Sequence, residues 1–159
     1  MSGAALVPVS PESVEERALF VVFQVDGVSY ALPADAVVQM ETYAGATRVP
    51  GAAPFVAGIL QLRGRVVPVV DLRARFGLPE APRTLDTRVV VGELAGRAVA
   101  LVADSAREVA HIAPSQLKAP PRLVDMGAHG FVRAVAQLGA RTIMVLDFAK
   151  VIGEEPIDV

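Results

Sequence analysis

The sequence predicts an all-β protein with short helices, arranged as two five-stranded barrel subdomains packed on one shared hydrophobic core. Three observations lead there. Short runs rich in β-branched residues alternate with tight-turn signals along most of the chain. The same order of runs and turns occurs twice, as an internal duplication would produce. At 159 residues neither half carries a comfortable core of its own, so two small barrels with a common apolar interface are the economical solution.

Residues 1–17 read as a flexible tail, broken by Pro8 and Pro11 and charged by Glu12, Glu15 and Glu16. Order is expected from about Leu19. Phe20 to Val25 and Val28 to Leu32 flank Asp26-Gly27, a pair that favours the left-handed backbone of a two-residue hairpin. Pro33 opens a short helical turn through Ala36, and Val37 to Glu41 forms a third strand. Leu62 to Asp71 is a further hairpin, whose Asp71 caps a short helix over Leu72 to Phe76 that Gly77 closes.

The second copy follows the same plan. Val89 to Leu94 and Arg97 to Val102 make a hairpin about Ala95-Gly96. Gly27 falls on Gly96, Ala34-Asp35 on Ala103-Asp104, and Gln39-Met40 on Glu108-Val109, at one constant spacing. Leu138 to Asp147 repeats the later hairpin, with Asp147 capping Phe148 to Ile152 and Gly153 closing it. Pro79-Glu80-Ala81-Pro82 reads as the connector. The chain is therefore divided into a tail at 1–17, one ordered domain at 18–153 and a tail at 154–159. Two interleaved subdomains have their cores at about 33–80 and 88–147.

Composition removes several function classes. With 53% hydrophobic and 20% charged residues, the chain is not wholly disordered. Net charge −2 and a lack of Trp argue against nucleic acid as a partner. No apolar run approaches the roughly 18 residues of a membrane helix, and no signal peptide is read, so the expected location is cytoplasmic without membrane insertion. Zero Cys excludes thiolate chemistry. His111 and His129 lack ligand-rich surroundings, so no metal is expected. No nucleophile elbow or phosphate-binding glycine pattern occurs, and the acid pairs Glu15-Glu16 and Glu154-Glu155 sit at the chain ends. Neither a catalytic constellation nor a cofactor is expected, and a small enzyme is the weakest reading.

Polar residues among apolar strands remain. Arg63 is open to two readings: an exposed basic residue on a hairpin turn, or a guanidinium at a groove edge that offers five donors to a partner. Gln39 and Glu108 are equivalent, and each is placed to fix such an arginine. Val37, Met40 and Val109 are by default ordinary core.

The stretch from Gly58 to Gly77, GILQLRGRVVPVVDLRARFG, resembles the hallmark of CheW-type chemotaxis coupling proteins, written around Asn-Leu-Arg-Gly and then Val-Pro-Val-Val-Asp-Leu-Arg. The likeness extends to the Asp26-Gly27 hairpin, to Arg48 with Pro54-Phe55, and to the hairpin ending Val102-Ala103-Asp104. The same domain occurs within CheA kinases and CheV hybrids, but no kinase or receiver region is read here.

This resemblance implies SH3-like barrels and a scaffold without catalytic activity. It implies two partners, the cytoplasmic tip of a methyl-accepting chemoreceptor and the regulatory domain of a CheA-type histidine kinase, with recruitment to receptor arrays. Carried over by position, the receptor groove between the barrels comprises Val37, Gln39, Gly58, Arg63 and Val109, and would take a receptor helix. The kinase contact is expected at Val49, Phe55 and Val56. Two departures from the family pattern stand out: Gln39 where Glu is common, and Gln61 where Asn is usual. Both suggest a variant tuned to its own receptor. The alternative is a divergent protein that binds one partner and limits array assembly.

Overall fold

The computed structural model describes residues 16–121 and 130–153. Expectations for Pro8, Pro11, Glu12, Glu15, His129, Glu154 and Glu155 fall outside those residues. Eleven strands and two short helices are present among the described residues: β1 Ala18–Val25, β2 Val28–Pro33, β3 Val37–Thr42, β4 Val56–Leu62, β5 Arg65–Asp71, α1 Leu72–Arg75, β6 Arg88–Leu94, β7 Arg97–Ala103, β8 Ser105–Ile112, β9 Leu117–Lys118, β10 Val132–Leu138, β11 Arg141–Leu146 and α2 Phe148–Ile152. The Asp71 carboxylate accepts from Arg73 N at 3.0 Å and that of Asp147 from Lys150 N at 3.2 Å, so both helices are capped as expected. Pro33 precedes a 3₁₀ turn at Ala34–Ala36, which delivers the chain into β3.

The strands form two sheets, ordered β8-β1-β2-β11-β10-β9 and β3-β6-β7-β5-β4. Read from β8 and from β3, the first five positions of the six-stranded sheet hold the repeat-equivalents of the five strands of the other, and β9 is the additional strand. The leading hairpins are exchanged. β1–β2 from the first half lies in the sheet of β8–β11, while β6–β7 from the second half lies in the sheet of β3–β5. Parallel ladders seal the exchange, β2 against β11 (Ala31 opposite Val145) and β5 against β7 (Val69 opposite Ala100). The connector at Pro79–Pro82 thus separates the halves in sequence without separating the sheets, and strands 88–103 share a sheet with strands 37–71.

Strand periodicity explains why the central runs are apolar at every residue. Successive side chains leave opposite faces of a strand. On β1, Phe20 and Val22 enter the interior of one sheet, while Val21, Phe23 and Val25 enter the core between the sheets. On β6, Val89 and Val91 fill the other sheet, and Val90 joins the shared core. Such strands are buried on both faces and need no polar residue. The shared core also takes Leu72 from α1 and Phe148, Val151 and Ile152 from α2.

Neither ring of strands closes by a hydrogen-bonded ladder alone; the chain spans each gap. β8 runs through the 3₁₀ turn Pro114–Gln116 into β9, which pairs with β10. β3 leads to Thr47, which exchanges hydrogen bonds with Ile59 of β4 at 2.9 and 2.8 Å. Both sheets reduce their exposed edges by this device.

Candidate functional site

The β4–β5 hairpin turns on Arg63-Gly64, with φ of 49° and 80°. Positive φ at both central residues is the two-residue turn whose twist suits a hairpin. Gly64 takes it freely, whereas an L-residue such as Arg63 gives up about 1–2 kcal/mol. The Arg63 side chain is exposed, with no hydrogen bond or ion pair among the described residues. Its neighbour Arg65 is engaged, 3.3 Å from Glu93. Arg63 is the exposed basic residue of a hairpin turn, and its guanidinium has no partner among the described residues.

Gln39 does not hold Arg63. It is half-buried opposite Val91, beside a bulge in β3, and its Nε2 is buried without a partner. The equivalent carboxylate does hold an arginine, but in the other sheet: Glu108 accepts two hydrogen bonds from Arg141, one of them Nη2 to Oε1 at 2.6 Å. Arg141 sits where Arg65 does in the repeat. That bidentate pair holds the Glu108 carboxyl below the usual carboxylate range.

Val37 is half-buried against the shared core. Val109 is 53% exposed, and its repeat-equivalent Met40 is 40% exposed. Neither Met40 nor Val109 is core, because both lie on outward faces of edge strands. Val38, at 50%, shares the outward face of β3 with Met40. Val38 and Met40 are outward apolar surface against the sequence pattern, in which alternation with Gln39 and Glu41 would turn them inward.

Gly58 has another task. It is buried beneath Thr47, with φ of 147°, and a Cβ there would overlap the Thr47 carbonyl. Its missing side chain lets the loop after β3 lie across β4 and close the ring.

Val49 and Val56 line one shallow depression of about 360 Å³, together with Arg48, Pro50 and Pro54. Phe55 leaves this surface. Its ring packs against the shared core and is covered by the Arg75 guanidinium, 3.9 Å from the ring centroid. The three expected kinase-contact residues thus divide into two at the depression and one beneath an arginine.

The remaining charged cluster is structural. Arg73 of α1 donates to both Asp104 oxygens at 3.0 and 2.8 Å and lies 3.5 Å from Asp26, tying α1 to the β7–β8 junction and the β1–β2 turn. Hydrogen bonding from Arg73 holds the Asp104 carboxyl low. The shifts at Asp104 and Glu108 arise from ion pairing and do not signal proton transfer. Among the described residues no group of three His, Asp or Glu could hold a metal, and no helix is long and apolar enough to cross a membrane.

Comparison with known proteins decides the family. Residues 19–155 match the CheW-like domain. The chain belongs to the CheW-like domain family. Chemotaxis protein CheW of Bacillus subtilis is 31% identical over 135 residues, covering 85% of this chain and 86% of the relative. CheW of Klebsiella aerogenes is 26% identical over 156 residues, 98% of this chain and 93% of the relative. Protein FrzA of Myxococcus xanthus is 27% identical over 134 residues, covering 84% of each. Among solved structures, the scaffolding protein TtCheW from Thermoanaerobacter tengcongensis superposes with a TM-score of 0.81 at 26% identity, covering 91% of this chain and 99% of that one. The paired SH3-like subdomains implied by the hallmark stretch are the CheW-like architecture seen here.

Proposed function

We propose that this protein is a non-catalytic chemosensory scaffold that couples the cytoplasmic tip of a chemoreceptor to the regulatory domain of a CheA-type histidine kinase within a receptor array. The observation that carries the reading is Arg63: an exposed guanidinium on a hairpin tip, without a hydrogen bond or ion pair among the described residues. The receptor surface is assigned to Arg63 with Val37, Gln39 and Val109, with Gly58 setting the loop that borders it. Apolar side chains on the edge strands would take the apolar stripe of a receptor helix, and Arg63 would add directed hydrogen bonds. The kinase surface is assigned to the depression at Val49 and Val56.

A narrower reading, one partner only, draws support from Phe55, whose covered ring leaves the kinase surface smaller than the sequence suggested. Separate pull-downs with a receptor cytoplasmic fragment and with the kinase regulatory domain distinguish the two. The scaffold reading expects both to bind, with kinase phosphorylation under receptor control only when this protein is added. Retention of one partner alone would replace it with the narrower one.

A further inference from the structure

Arg75 lies outside both assigned surfaces, yet it is the side chain that ties one of them to the opposite sheet. It projects from α1 and donates from Nε to Val151 O at 2.8 Å and from Nη2 to Lys150 O at 3.1 Å, two carbonyls of α2 in the other half of the chain. Its guanidinium lies 3.9 Å from the ring centroid of Phe55 and 4.8 Å from that of Phe131. Phe55 and Phe131 are repeat-equivalent, so one cation lies against both copies of the same aromatic. Phe131 in turn ends a row of rings running through the shared core, Phe23 to Tyr30 to Phe76 to Phe131, with the last three centroids 5.1 and 5.6 Å apart.

The consequence lies one residue along. Phe55 O accepts from Asp71 N at 2.8 Å, and Val56 N donates to Ala53 O at 2.9 Å. Fixing the Phe55 ring therefore fixes the end of the 49–56 loop, and with it Val56 on the wall of the depression. The repeat-equivalent of Arg75 is Val151, fully buried, so a single arginine, from the first copy, lies against both aromatics. Burial disfavours the charged form of Arg75, and pulls its pKa down, but two carbonyls and two ring faces meet that charge.

We infer that Arg75 is a positioning residue for the Val49–Val56 surface, holding that loop in its docking geometry by clamping Phe55 against α2 of the opposite sheet. The inference rests on the assignment of that surface to the kinase. Its test compares Arg75→Met and Arg75→Lys with the parent chain in three measurements. These are amide hydrogen exchange, affinity for the kinase regulatory domain and affinity for a receptor cytoplasmic fragment.

In Arg75→Met the amides of Val56 and Asp71 exchange about tenfold faster relative to the slowest core amides, kinase affinity falls about tenfold, and receptor affinity stays within about twofold. Lysine restores less than half of the kinase affinity, because it cannot supply a planar face and two directed bonds together. A uniform rise in exchange across the core would overturn the inference and leave Arg75 a general stabiliser. So would unchanged kinase affinity alongside faster loop exchange. Val49→Glu checks the underlying assignment independently. If it leaves kinase binding intact, the surface itself is misassigned and the docking role of Arg75 goes with it, while the exchange data still decide whether Arg75 pins the loop.

Discussion

The β3 sheet and the β8 sheet carry equivalent strands in equivalent order, and they differ at their polar positions. In the β8 sheet, Glu108 and Arg141 neutralise each other, and the turn equivalent to Arg63-Gly64 is the uncharged Gly139-Ala140. In the β3 sheet, Gln39 has a buried amide nitrogen without a partner, Arg65 has turned to Glu93, and Arg63 is free at the tip. Apolar positions match between the copies because both must fill the same shapes. Polar positions are released from that requirement, and the β3 sheet is the one that leaves an exposed guanidinium, that of Arg63, without a partner among the described residues.

The comparison breaks most easily at Gly58. Gly58→Val drives a side chain into the Thr47 carbonyl, and the expected loss is about 3 kcal/mol or more, or about 10 °C in melting temperature. Binding to both partners should fall with it. A variant that melts normally would show that the Thr47 crossing does not close the β3 sheet.

Arg63→Glu sharpens the contrast without disturbing the fold. Receptor affinity is expected to drop at least about tenfold while melting stays within about 2 °C, since the side chain has no partner inside the protein to lose. Equal receptor binding by this variant would remove the functional distinction between the two hairpin tips.

Acid titration addresses the paired side. Arg73 and Arg141 depress the carboxyl pKa values of Asp104 and Glu108 below their unfolded values. The stability from these pairs is therefore fully present above the ordinary carboxylate value of about 4 and is lost as pH falls through the lower folded values. Melting temperature should be level near neutrality and fall below about pH 4. The fall should be shallower in Asp104→Asn, which has already lost its pair at neutral pH. An identical acid profile for that variant would show that the Arg73 cluster contributes nothing to the pH dependence.

The smallest expected effect is at Gln39→Glu, which installs in the β3 sheet the carboxylate that Glu108 supplies to the other. It should compete with Glu93 for Arg65, changing stability by less than about 1 kcal/mol and shifting receptor affinity measurably. An unchanged affinity would remove the case for a variant tuned at this position.

Much of this architecture was legible in the sequence because it depends on local signals. The Asp26-Gly27 and Ala95-Gly96 turns, the Asp71 and Asp147 caps, and the apolar strand runs each report a backbone preference within a few residues. The exchange of hairpins was not legible: it rests on the parallel contacts of Ala31 with Val145 and Val69 with Ala100, which join residues far apart in the chain. At the candidate site, Arg63 was visible as a cation on a turn, and the missing partner of Gln39 was not. Met40, core by default in the sequence, faces outward, because an apolar residue on an edge strand looks the same in sequence whichever face it occupies. The covering of Phe55 by Arg75 required the third dimension altogether.

The most direct test of the scaffold account is Arg63→Gly, measured for melting temperature and for affinity to a receptor cytoplasmic fragment. Glycine relieves the left-handed backbone of the turn while deleting the guanidinium. The account predicts a melting temperature equal to or above that of the parent chain, together with receptor affinity reduced at least about tenfold. A stabilised variant that bound the receptor fragment as tightly as before would contradict it.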